Sequence, residues 1–156
     1  MPTHNQFGRA TSLSFIVSGE GSPRTTSSIQ SYTVTPQTQE VEEFLTGADR
    51  VNSHYQGVIS ASLEVETSDL ETIFDLSRGT VCTSVSLTIE AAYDSGGTAQ
   101  NSNNLTYTLS RAIIDSVGDF GRDNSARGPV TGSITFLLSH DVTSDDDPEA
   151  SAAISA

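Results

Sequence analysis

Three histidines, one cysteine and a large excess of acids are the side chains of this 156-residue chain able to ligate or transfer protons. His4, His54 and His140 fall in an N-terminal arm, a loop and a strand end, with no ligand spacing between them. A zinc site needs thiolates or a histidine pair on one element, and Cys82 stands alone in an apolar run, as a buried inert thiol does. One cysteine also rules out an internal disulfide. The 24 serines supply nucleophiles, but no G-x-S-x-G elbow presents one. Glu64 and Glu66, two apart on one strand face, read as a polar outer surface, not as an acid–base couple. "DDDPE" lacks the D-x-D-x-D-G calcium pattern and the glycine that turns it, so it reads as a solvated charge run. "GEG" and "DSGG" are too short, and neither both follows a strand and opens a helix, so neither is a phosphate cradle. Asn104-Leu105-Thr106 is a sequon of the kind that recurs by chance in a Ser/Thr-rich chain. The sequence therefore predicts no catalytic residue, no cofactor, no metal and no enzyme.

Charge narrows the partners. The chain has 20 acids against 7 bases, a net charge of −13, and every base is Arg. Too few cations are present to wrap nucleic acid. An acidic surface instead lets a polyanion pass without sticking. The absence of Lys fits either a high-salt source or a biased base composition. The opening "MPTHNQFGRA" has no apolar core or cleavage pattern, so no signal peptide is expected. No apolar run is long enough to span a membrane as a helix.

The elements that would position these side chains are strands. "ATSLSFIV" puts Leu13, Phe15 and Val17 on one face, and "GVISASLEVET" alternates cleanly about Ile59, Ala61, Leu63 and Val65. "IQSYTV", "TVCTSVSLTIEAAY", "LTYTLSRAIIDSV" and "PVTGSITFLLSH" read as further strands, and "EVEEFL" as a strand or a helical turn. Gly47–Gln56 reads as a polar connection. Between strands, "SDLETIFDLSRGT" carries helix signals. Ser68 and Glu71 form an S-x-x-E capping box, Leu70, Ile73 and Phe74 share a face, and Gly79 stands at the stop. A helix over Ser68–Arg78 is too short to hold alone, so it must pack on a sheet through Leu70, Ile73 and Phe74.

The expected fold is mainly β: an antiparallel β-sandwich or barrel with one short flanking α-helix at Ser68–Arg78. Residues 1–9 form an extended N-terminal arm, 10–140 a single domain, and 141–156 an acidic, flexible C-terminal tail.

The order of these elements carries a resemblance. "GVISASLEVETSDLETIFDLSRGT" runs a strand into a helix and ends in Arg-Gly-Thr, and "LTYTLSRAIIDSVGDFGRD" and "GPVTGSITF" follow it. Over most of Phe7–Phe136 the chain resembles the tail tube (major tail) proteins of long-tailed phages and archaeal tailed viruses. The chain lacks Trp and has no residue that fixes a ring-stacking hairpin, and in these it departs from that pattern. The resemblance implies a structural virion protein, made in the host cytoplasm, whose hexameric rings stack into a tube. It implies partners among copies of itself and neighbouring tail or head proteins, with genome DNA as transient cargo during ejection, and no membrane. Two other readings stand beside it: a capsid decoration or cement protein binding the head lattice, and a β-sandwich ligand-binding module, which the 6% aromatics, scattered Tyr and lack of Trp disfavour.

Overall fold

In the computed structural model, residues 6–45, 51–93, 95–99, 103–118, 120, 124–125, 127–140 and 149–155 are described. Nine antiparallel strands dominate: β1 (Phe7–Val17), β2 (Arg24–Thr26), β3 (Ile29–Leu45), β4 (Val51–Thr67), β5 (Val81–Ala91), β6 (Asn104–Leu109), β7 (Ala112–Val117), β8 (Gly132–Leu138) and β9 (Ala150–Ser155). Pairing makes one bent sheet. One half runs β2-β1-β5-β6-β9 and the other β7-β8-β4-β3. The halves join where β5 pairs β7 through Val81–Ile113 and Cys82–Ala112.

The halves fold face to face over one core. Leu13 and Phe15 from β1, Val85 and Leu87 from β5, and Leu109 from β6 meet Leu63 and Val65 from β4 and Ile134 and Phe136 from β8. All of these are fully buried, and the Phe15 and Phe136 rings pack tilted with centroids 5.2 Å apart. Period-two alternation produces this directly: Ala61, Leu63, Val65 and Thr67 point inward and their neighbours outward. At the seam between the halves, the Tyr32 hydroxyl donates to the Gly8 carbonyl at 2.6 Å and that of Tyr107 to the Thr35 carbonyl at 3.1 Å.

Two phase changes follow from bulges and corners. The β1–β5 register passes from Ile16–Ser84 to Val17–Cys82, leaving Thr83 as an extra, exposed residue and turning Cys82 inward. The single strand expected over "LTYTLSRAIIDSV" is two strands, β6 and β7. Ser110 and Arg111 form the corner where the chain leaves β5 for β8, so Ala112 and Ile114, not Arg111 and Ile113, face the core.

The structure corrects the expected helix. Ser68–Arg78 forms no α-helix; its regular part is a single 3-10 turn, Leu70–Thr72. The backbone groups a helix would use are engaged elsewhere. Ser68 N–H donates to the Ser28 carbonyl at 3.1 Å, and Asp69, the residue at the cap position, makes no side-chain cap bond. Ser68 is thus not a cap, and Glu71 is exposed. An α-helix would bond the Leu76 N–H to the Thr72 carbonyl. Here Leu76 N–H turns to Ile73, and the Thr72 carbonyl accepts from Arg24 Nη1 at 3.0 Å.

The ends are corrected as well. The arm stops short of residue 9, because β1 begins at Phe7; residues 1–5 lie outside the described ones. The C-terminal region is not all tail: Ala150–Ser155 pairs residue for residue with β6. The acidic run over 141–148 lies outside the described residues. Likewise Val51–Gln56, expected as connection, belongs to β4.

Candidate assembly surface

The capping and packing residues named from sequence separate in space. Ile73 is fully buried in the core, Leu70 is half-buried beside Gly132, and Phe74 is 62% exposed. Gly79 sits at φ +91°, a conformation glycine adopts freely, and its N–H donates to the Ile114 carbonyl at 2.8 Å. The segment is therefore a strap laid across the end of the sandwich, pinned by Ile73 from below.

Arg24 pins it from the side. Its guanidinium donates to both Asp75 oxygens at 2.6 and 3.0 Å and to both Glu20 oxygens at 2.6 and 3.0 Å. These bonds hold the Asp75 and Glu20 carboxyls below their ordinary range and push the Arg24 pKa up. Sequence reading missed this cluster, because Arg24 and Asp75 are 51 residues apart.

Among the described residues no three His, Cys, Asp or Glu side chains converge as a metal site requires. Cys82 is buried, and burial pushes its thiol up to about 11, away from nucleophilic use. Glu66 accepts from the Thr131 hydroxyl at 2.6 Å and the Ser31 hydroxyl at 3.1 Å, which hold its carboxyl low as a structural acceptor. His140 is exposed at the end of the chain segment after β8.

The two outer faces differ in charge. Across the first half, Thr25, Ser14, Ser86, Thr108 and Ser151 lie in one transverse row through four successive pairings, all hydroxyls. Arg9 and Glu90, farther along, neutralise each other in an ion pair. The second half carries Glu64, Glu66 and Asp115, with Arg78 3.6 Å from Asp115.

The β3–β4 hairpin leaves the body. β4 pairs β8 only over Ser62–Thr67, whereas β3 and β4 pair out to Leu45–Val51. At about 3.3 Å per residue, the stretch beyond Thr38 and Ser60 projects about 25 Å. A two-stranded ribbon of that kind is marginal in water by itself.

No protein-family profile matches the chain, and no curated protein matches it by sequence. Solved structures do. The chain is similar to the anti-feeding prophage cap, an AFP tube terminating cap, with TM-score 0.56 and 9% identity over 99% of this chain and 95% of that one. It is also similar to chains in the sheath-tube complex of the PVC extracellular contractile injection system (TM-score 0.47, 14% identity, 90% and 88% covered) and in the AFP baseplate (0.47, 13%, 96% and 95%). The first of these likenesses shows a shared fold from end to end.

Proposed function

We propose that this protein is a structural, non-enzymatic subunit of a tail-like particle, assembling with copies of itself into rings, hexameric in this reading, that stack as a tube. The observation that carries the reading is the end-to-end fold correspondence with the AFP tube terminating cap. The long β3–β4 hairpin supports it. Because that relative is a cap, the protein has a second place in the same particle: the ring that ends the tube. In either place it lines or closes a conduit, and its acidic composition keeps a passing polyanion such as DNA from binding the wall.

The net charge of −13 sets how assembly responds to salt. Like-charged subunits repel, and the Debye length shrinks from about 8 Å at physiological ionic strength to about 3 Å at 1 M. Sedimentation velocity across a salt series is expected to show monomers at low salt and growing assemblies as salt rises, with no DNA binding at low salt. Assemblies that dissolve with salt, or tight DNA binding at low salt, contradict the reading.

A further inference from the structure

An open strand edge is a template for another chain, and folded proteins guard such edges with short length, proline, bulges or charge. β2 has three residues and follows Pro23. β1 before Leu13 carries two register shifts, and Tyr32 is bonded onto it. β3 holds Pro36, register shifts on either side of Thr38 and Gln39, and Glu40, Glu42 and Glu43 in its outer part. β9 has none of these devices. Its six residues, "ASAAIS", pair one to one with β6 without a bulge, a proline or a charge.

The alternation of the ladder says which groups are open. Ser110 N–H donates to the Glu149 carbonyl, so the backbone groups of Ala150, Ala152 and Ile154 point away from β6. Gln37 Oε1 accepts from Ala150 N–H at 2.8 Å, which closes the first position. Among the described residues Ala152 and Ile154 stay open, and Ile154 is 47% exposed on the side where Leu105, its β6 partner, packs on the core.

Among the described residues one other edge is open and uncharged. β4 from Val51 to Ala61 has β3 as its strand partner among the described residues, and "VNSHYQGVISA" holds no acid, Lys or Arg. Ser53–Gln56 is its regular stretch, four consecutive pairs. This edge cannot serve its own β9: the Gln37–Ala150 bond shows that β3 is the hairpin strand beside β9, so β4 faces away.

We propose that the outer edge of β9 accepts the Ser53–Gln56 edge of β4 from a second copy of this chain, extending the sheet from one subunit into the next. Charge selects this occupant. Both edges are neutral in a chain of net charge −13, so they join without placing carboxylates together. The contact uses two different edges, so it is head-to-tail and continues around a ring. It deepens the proposed function and rests on that reading for the ring.

Ala152→Pro and Ala153→Pro separate the edge from the fold. Proline at 152 removes an outward N–H, which an edge strand tolerates, whereas proline at 153 removes a ladder bond to β6. Ala152→Pro is expected to keep the wild-type melting temperature and lose assembly in sedimentation at salt where wild type assembles; Ala153→Pro lowers the melting temperature. Ile154→Lys, which leaves the backbone intact, is expected to lose assembly in the same way. Mixing Ala152→Cys with Tyr55→Cys subunits should give a disulfide-linked pair. Assembly of Ala152→Pro and Ile154→Lys at wild-type strength overturns the proposal while leaving the tube reading standing. Ala152→Cys linking only to itself overturns it in favour of a two-fold β9–β9 pair. Wild type that assembles under no condition overturns both.

Discussion

Arg24 and Asp75 meet as a fork: Nη1 donates to Oδ1 at 2.6 Å and Nη2 to Oδ2 at 3.0 Å. The pair ties β2 to the strap that follows β4 and holds that strap out of a helix, since the same guanidinium takes the Thr72 carbonyl. Arg24→Met keeps the aliphatic stem and removes the fork. Loss of the charge-assisted bond to Thr72, discounted for exposure, is expected to cost about 1 kcal/mol in a thermal melt at neutral pH.

The same cluster gives a pH dependence. The Arg24 bonds depress the Asp75 and Glu20 carboxyls. A group depressed in the folded state contributes stability above its unfolded pKa and loses it as pH falls through the folded one. The stability gap between wild type and Arg24→Met is therefore widest at neutral pH and narrows as pH falls below about 4, down to the part carried by the Thr72 carbonyl bond, which does not titrate there. Melting curves of both proteins down that range check it; a gap that persists unchanged in acid contradicts the assignment.

Ile73 and Phe74 are neighbours with opposite fates. Ile73 is fully buried and Phe74 62% exposed. Ile73→Ala is expected to cost about 2–5 kcal/mol, and Phe74→Ala in the free subunit under about 0.5 kcal/mol. Denaturant melts of the two variants compare them directly. A large loss for Phe74→Ala would mean that the strap folds over that ring.

These two residues also mark how far the sequence could be read. The strands were legible because a two-layer fold buries alternate residues, and Leu63, Val65, Leu87 and Phe136 show that period locally. The capping box at Ser68 and Glu71 was equally clear but was overridden. Its competing partners, the Ser28 carbonyl and Arg24, come from 40 or more positions away in sequence. β9 was missed for a related reason. "ASAAIS" has no strong alternation, and only its six-residue pairing with β6 makes it a strand. The open edges of the candidate assembly surface were invisible for the same cause, since an edge is defined by which strands are absent beside it.

Gly132 and Phe120 are expected to be coupled. A methyl at Gly132 would overlap the Phe120 ring and crowd Leu70 Cδ2 at 3.1 Å. Gly132→Ala should cost about 1–3 kcal/mol, and adding Phe120→Ala should return part of it. Urea melts of both single variants and the double close the cycle. Strictly additive losses would show that the ring does not lie there.

Negative-stain imaging of the purified wild-type protein, brought from low to high salt, tests the central claim most directly. The account predicts rings of one diameter seen end-on, with hollow tubes of the same width if the protein forms the tube body, or closed rings that do not elongate if it ends the tube. Particles that remain single subunits at every salt concentration, or that form only two-fold dimers, would contradict it.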